Sequence, residues 1–392
     1  MKIAIVHDYL NQMGGEEKVV EVFHDMFPSA PIFTSVYIPE NVSSKFREAN
    51  IQTSFVQKLP LVKKFARHYL MTYPYAFELF DFSDYDVVLS SSSAFAKGII
   101  TGPDTCHICY CHTPMRFAWQ YYSYIQRERL SASLRLVLPY IVHRIRRWDE
   151  ITANRVDHYV ANSREVERRI RKYYKRNATV ICPPVETDRF KVTTQDDGYF
   201  VIISRLLAYK RVDLAIEAAN KLKVPLKIIG TGRDEKRLKE LAGPTVDFVG
   251  RLSDDDVVDC LQRSRALIFT GLEEFCIVPV EAMACGKPVI AYGRGGALDT
   301  VAEGISGVFF EEQTVESLAR AMESFNPDDY NPYRIRRHAE TFDVTVFNRK
   351  MMMFIKDKLE QHKDQYGLHE PAMLQEGLAP ISCNEISTSL TK

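Results

Sequence analysis

Glu273 and Glu281 stand eight residues apart in GLEEFCIVPVEAMACGKPVIA (271–291), the first after an apolar strand pattern, the second in the opening turn of a helix begun at Pro279. A carboxylate accepts two hydroxyl hydrogen bonds at once, which suits the neighbouring oxygens of a sugar or a ribose. An acid near a helix start is also ordinary helix grammar, so Glu281 alone reads as a cap. Two carboxylates bracketing a strand-to-helix loop are less bland. In SRLLAYKRVDLAIEA (204–218), Arg205 and Lys210 flank the end of a strand and the start of a helix. A guanidinium, an ammonium and a helix N-terminus converging on one spot form an anion site. His112 follows the apolar run in CYCHTPMRFAWQ (109–120). Gly14 and Gly15 open a helix in NQMGGEEKVVEVF (11–23), where backbone N–H groups without a neighbouring Cβ can approach a phosphate. The fingerprint G-x-G-x-x-G is absent there, which argues against a nicotinamide cofactor.

These residues need elements to hold them. From YFVIISRL (199–206) to TVESLARAMES (314–324), Val-, Ile- and Phe-rich runs alternate with amphipathic segments across short Gly- or Asp-bearing turns. That order predicts βαβ units and an α/β fold with a doubly wound parallel sheet. The first half repeats the pattern more loosely, with a helix over 16–26, a long helical stretch over 121–150 and a basic helix reaching Arg176. The expected division is a first α/β domain over 1–185, a second over 186–344, a closing helix over 345–362 packing back on the first, and a poorly ordered tail over 363–392. Two domains agree with a length of 392 residues. Ligands of such domains lie outside the C-terminal ends of the strands, where the candidates fall. With 51 Lys+Arg against 51 Asp+Glu, overall charge exerts no pull toward nucleic acid. The opening KIAIVHDYL is too short and polar for a signal peptide, and no apolar run approaches the ~18 residues of a membrane span. Most of the cysteines sit in apolar patterns, as buried thiols do in a reducing cytoplasm.

The run Glu273, Glu281, Ala282, Met283, Ala284, Gly286, Pro288, Val289 resembles the signature of the retaining glycosyltransferases of family 4, with the GT-B fold of two facing Rossmann-like domains. The resemblance implies that Glu273 contacts hydroxyls of a donor sugar, that Glu281 holds the ribose, and that Arg205 and Lys210 meet the donor diphosphate. It assigns Gly14 and Gly15 to the donor phosphate, His112 to the sugar near the reacting carbon, and Gly230, Val249 and Arg251 to turns beside the donor, with the base near the last two. The resemblance also implies that the loop Phe275, Cys276, Ile277 presents backbone amides to the sugar. CHTPMR followed by an aromatic and a Trp is similar to mannosyltransferase-like members, so GDP-mannose is the first expected donor and a UDP-hexose the second. The implied acceptor is a glycan or lipid-linked glycan in polysaccharide biosynthesis. No cofactor beyond the donor and no obligatory metal are expected, because side-chain cations occupy the place of Mg²⁺.

Cys276 departs from the family's Gly, whose backbone freedom Cys resists. That departure keeps open a sugar-nucleotide-binding subunit without catalysis, and an epimerase of the same architecture is a further alternative. Acceptor contacts are sought in 40–80 and 115–150, with Tyr73, Tyr75, Phe77 and Arg116 as candidates. Cys106, His107, Cys109, Cys111 and His112 superficially suggest zinc, but strand alternation splits them between two faces. Residues 135–176 carry twelve Lys/Arg against five Asp/Glu, interleaved with Trp and Tyr. This segment reads either as a solvated face or as peripheral contact with an anionic inner membrane.

Overall fold

The computed structural model describes residues 1–62, 66–121 and 132–368. Most of the apolar runs form strands buried on both faces, which is why they lack polar alternation, whereas strands at the sheet edges are partly exposed. In the first half these are β1 (Ile3–His7), β2 (Ile32–Thr34), β3 (Ile51–Thr53), β4 (Val87–Ser92), β5 (Cys106–Cys111), β6 (His158–Ala161) and β7 (Ala178–Val180). They pair in parallel in the order β3-β2-β1-β4-β5-β6-β7. In the second half, β8 (Phe200–Ile203), β9 (Leu226–Ile229), β10 (Val246–Gly250), β11 (Ala266–Phe269), β12 (Val289–Tyr292) and β13 (Gly307–Phe310) pair in parallel as β10-β9-β8-β11-β12-β13. Each order reverses once, between β1 and β4 and between β8 and β11. A doubly wound sheet opens a crevice at such a reversal, beyond the C-terminal strand ends. His7, Ser92, Ser204 and Thr270 stand at those ends.

Alternation along β5 serves two cores. Cys106, Ile108 and Tyr110 pack with Phe23 and Phe347, whereas Cys109 and Cys111 pack with Val156 and Val166. The chain crosses between the sheets twice, side by side: Val185 N donates to Phe342 O at 3.0 Å and Val344 N to Val185 O at 3.2 Å. After the second crossing the helix Val344–Tyr366 buries Phe347, Met351, Ile355 and Leu359, each four residues after the last, against the first domain. It ends at Gly367 in the left-handed region. Residues 363–366 of the expected tail are therefore helical, and 369–392 lie outside the described residues. Of the helix expected over 121–150, Ala132–Thr152 is described and 122–131 are not. The basic helix is Arg164–Tyr173, shorter than expected at its C-terminal end, with Ser163 Oγ accepting from Val166 N at 3.2 Å.

A buried ion pair ties these helices to the sheet. Lys97 Nζ lies 2.5 Å from Asp149 Oδ1, and Asp149 Oδ2 accepts from Trp119 Nε1 at 2.6 Å and Tyr174 OH at 2.9 Å. Three donors thus meet this fully buried carboxylate, as a buried charge requires partners. The network fixes the turn Arg116–Trp119 just beyond β5.

Candidate active site

The second domain supplies the cations. Lys210 Nζ sits 2.5 Å from Glu273 Oε2, and Thr270 Oγ1 donates to Lys210 O at 2.8 Å, so the ends of β8 and β11 are joined. Arg205 is exposed and makes no ion pair among the described residues. A Cβ on Gly230 would come within 2.0 Å of Ser204 O, and one on Gly232 within 2.1 Å of Leu206 O. Gly230, at φ +128°, thus lets the Arg205 loop lie directly on the loop after β9. Val249 is half-buried in the core at the end of β10, and Arg251 is exposed beyond Gly250.

The helix carrying Glu281 starts at Ile277, two residues before the expected start, which moves Glu281 from the first turn into the second. Capping therefore does not account for it. Its carboxylate has no hydrogen-bond partner among the described residues, and burial raises its pKa against the opposing charges of Lys18 and Arg189. Cys276 has φ −116°, an ordinary extended value, and its side chain is buried among Val280, Met283 and Phe275. The backbone strain expected of Cys at this place is absent, and burial pushes the thiol well above its usual range. Phe275 packs toward Phe342, with ring centroids 6.1 Å apart. Cys276→Gly should lower stability by about 1–2 kcal/mol, from the lost burial and the freed backbone, and leave activity unimproved. A large gain in turnover in a paired melting and activity measurement would contradict this.

The first domain supplies an oriented neutral imidazole. His112 Nε2 lies 2.8 Å from Ser91 Oγ, its ring centroid 5.2 Å from that of Tyr110. Burial lowers its pKa to about 4, partly offset by Asp8, so it stays uncharged at neutral pH. Asp8, directly after β1, is fully buried and accepts from four backbone amides. Ser93 N and Ala94 N lie 2.7 and 2.9 Å from Oδ2, and Phe95 N and Ala96 N each 2.6 Å from Oδ1. Glu16 Oε2 accepts from Ser93 Oγ at 2.7 Å. Gly14 and Gly15 start their helix here, and a Cβ on Gly15 would lie 2.9 Å from Ile277 Cδ1, so this loop abuts the Glu281 helix.

One carboxylate clasps the domains together. Glu274 Oε1 lies 2.5 Å from Arg169 Nη1 and 3.3 Å from Arg116 Nε, and Arg169 Nη1 also donates to Thr113 Oγ1 at 3.2 Å. The Arg116 guanidinium lies 5.8 Å from the centre of the Tyr209 ring. His112 and Glu273 are thereby one residue along the chain from two groups that Arg169 joins. Asp8, Arg169 and Glu274 carry no distinguishing signal in the sequence: Asp8 reads as a polar break after β1, and Arg169 merges into a basic helix. Of the acceptor candidates, Tyr73 and Phe77 lie in the first domain's core, Tyr73 stacked on Phe95 with centroids 5.2 Å apart, while Tyr75 is exposed. Cys109 and Cys111 face away from Cys106, so the five-residue zinc grouping does not form.

Two doubly wound sheets with candidate residues at both reversal points define the GT-B class. Solved structures agree in fold. Anabaena HepE in complex with UDP superposes with a TM-score of 0.68 at 18% identity, covering 91% of this chain and 100% of that one. Sucrose-phosphate synthase from Thermosynechococcus elongatus gives a TM-score of 0.70 at 14% identity, covering 92% and 100%. The profile described as Glycosyl transferases group 1 matches residues 184–342, and that described as Glycosyltransferase Family 4 matches 13–189. The chain belongs to the family 4 glycosyltransferases. Among named relatives it is 26% identical over 214 residues to an uncharacterized glycosyltransferase of Methanocaldococcus jannaschii, covering 53% of this chain and 60% of that protein. It is 26% identical over 304 residues to the alpha-1,3/1,6-mannosyltransferase ALG2 of Dictyostelium discoideum, covering 63% and 69%. A GDP-mannose-dependent monoacylated alpha-(1-6)-phosphatidylinositol monomannoside mannosyltransferase of Corynebacterium glutamicum is 33% identical over 135 residues, covering 30% and 35%. The match thus spans between about a third and two thirds of these relatives' lengths.

Proposed function

We propose that the protein transfers a hexose, mannose from GDP-mannose in the first instance, from a nucleotide sugar to a glycan or lipid-linked glycan, with retention of anomeric configuration. The observation that carries this reading is the convergence of Lys210, Glu273 and, through Glu274 and Arg169, the His112 loop on one crevice. Arg205 and Lys210 meet the charge that develops on the departing diphosphate, which is where fixed cations lower a barrier. Glu273 and neutral His112 orient the sugar, Glu281 takes the ribose hydroxyls, and the incoming hydroxyl uses the face the diphosphate leaves. The two side-chain cations make a metal non-obligatory. The names of the mannosyltransferase relatives support the choice of donor over a UDP-hexose.

Nucleoside diphosphate release tests this with GDP-mannose, UDP-glucose, UDP-galactose and ADP-glucose, each in EDTA with crude lipid extract as acceptor source. GDP release in EDTA is the expected result. Release from UDP sugars alone would move the donor, loss in EDTA would refute metal independence, and silence with all four would favour a binding subunit. Proton NMR of the product checks retention.

No helix among the described residues is long and apolar enough to cross a membrane. Peripheral contact rests on one face of the helix Ala132–Thr152, where Val137, Tyr140 and Ile151 are exposed alongside Arg144. The rest of the basic segment is less available than its composition implies. Trp148 turns inward to donate to Glu78 at 3.1 Å, Tyr173 stacks on Trp119, and Arg168 and Arg171 pair with Glu165 and Glu167. The same preparation, sedimented with anionic vesicles, should lose co-sedimentation in Tyr140→Ala; equal sedimentation of both proteins would remove this contact.

A further inference from the structure

Three metal-ligating groups meet at the opposite edge of the first sheet from the crevice. Cys106 opens β5, Asp157 precedes β6, and His362 lies on the helix Val344–Tyr366. Cys106 Sγ, a carboxylate oxygen of Asp157 and a ring nitrogen of His362 all lie within 4.8 Å of one another. Six residues of strand rise place Cys106 about 20 Å from His112, so this cluster is separate from the site described above. Cys106 and His362 are almost wholly buried, and Asp157 is half-buried.

Hydrogen bonds fix which atoms are on offer. His362 Nε2 lies 2.8 Å from Pro103 O and must donate to it, because a carbonyl oxygen only accepts. The lone pair of the neutral ring is then on Nδ1, which faces Asp157 Oδ2 at 3.9 Å. A ligating histidine is characteristically oriented in this way, its other ring N–H given to a backbone carbonyl. Asp157 Oδ2 is held in turn by His107 N at 2.8 Å. The Cys106 thiol has Lys358 O as its acceptor at 3.9 Å, which leaves its sulfur lone pairs, the Asp157 carboxylate and the Nδ1 lone pair facing one another. The Lys358 ammonium is engaged elsewhere, 2.9 Å from Gln361 Oε1 and 3.0 Å from Asp357 Oδ2.

The geometry points to a structural zinc site with Cys106 Sγ, Asp157 and His362 Nδ1 as protein ligands and water in the fourth position. A thiolate, an imidazole and a carboxylate suit Zn²⁺, whose ligand bonds of about 2.0–2.3 Å require ligand atoms roughly 3.3–3.6 Å apart. Closing from the present spacing needs only small side-chain movements. The ion would link the first sheet to the helix that returns from the second domain, so binding would be coupled to the stability of that contact. A thiol ligates only as the thiolate, so loading must expel the Cys106 proton into solvent. Affinity should therefore fall as pH is lowered.

The test is titration of the full-length, chelator-treated protein with ZnCl₂ by calorimetry in buffers of differing ionisation enthalpy, with Co²⁺ as a spectroscopic probe. The expected result is one saturable Zn²⁺ per chain with proton release, a raised melting temperature, and a thiolate-to-Co²⁺ charge-transfer band. Cys106→Ser and His362→Gln should each weaken zinc binding more than about a hundredfold and abolish the band or shift it, while Cys182→Ala leaves all three readouts unchanged. Absence of saturable zinc in the native chain, or retention of it in both ligand variants, overturns the site. If a variant fails to fold, Asp157→Asn and the native-chain Co²⁺ spectrum decide in its place: a tetrahedral thiolate spectrum supports the site, and its absence refutes it.

Discussion

Lys210→Ala is expected to lower turnover by about a thousandfold and Arg205→Ala by about a hundredfold, the scale on which removing one preorganised charge-stabilising group acts. The difference follows from what each side chain does. Arg205 is exposed with no ion pair among the described residues, so its removal costs only the charge it offers the donor. Lys210 is half-buried and holds Glu273 at 2.5 Å. In the proposed reaction its loss would remove a cation from the diphosphate and also free the carboxylate that orients the sugar. Because both effects grow as the bond to the leaving group breaks, kcat and kcat/KM should fall together in Lys210→Ala.

Stability should hardly change in either variant. A partly exposed ion pair contributes on the order of 1 kcal/mol or less. Steady-state kinetics with nucleoside diphosphate release as the readout, alongside a thermal melt, separates the two quantities. Turnover within tenfold of the native protein in both variants would remove these residues from the diphosphate site. A rise in KM alone would place them in ground-state binding of the donor and leave its reaction to other groups.

Much of this site is legible in the sequence because doubly wound domains put chemistry where the chain itself marks it, at the end of an apolar strand. Arg205, Lys210, Glu273 and His112 all follow such runs, and the repeated alternation of the second half announces its sheet. What the chain does not mark is pairing across large separations. Arg169 and Glu274 are 105 positions apart and belong to different sheets, so neither has a periodic or local signature of the other. Cys276 shows the converse limit: a residue type at an unusual place suggests strained backbone, but φ is set by the whole loop, and here it is ordinary. Glu281 shows the limit on boundaries. Pro279 reads as a helix start, yet the helix begins at Ile277, because Pro is tolerated anywhere in the first turn, where its missing N–H has no partner to lose.

Asp8→Ala should destabilise the protein by about 4 kcal/mol or more, because it strips a buried carboxylate from four amides that have no other acceptor of comparable strength. Asp8→Asn is expected to do nearly as badly. A carboxamide keeps one oxygen for one pair of amides but turns its NH₂ toward the other pair, setting donor against donor. Replacing a partly exposed carboxylate at the opposite edge of the same sheet, such as Asp86→Asn beside Lys2 N, should cost about 1 kcal/mol or less by comparison. Thermal melts of the three variants check the order, and a melting temperature for Asp8→Ala within a degree or two of native would refute it. The consequence reaches the chemistry, since successive amides in a turn form an anion cradle that elsewhere receives phosphate. In this chain a side chain already fills that cradle, and Glu16 lies beside it on Ser93. That cradle is closed to a further anion, so in the proposed reaction the charge of the diphosphate would be met from across the crevice, by Arg205 and Lys210. Activity lost in Asp8→Asn at a temperature where the fold persists would then reflect displaced Ser93, Glu16 and His112, visible as a change in sugar-dependent kcat with little change in nucleotide affinity.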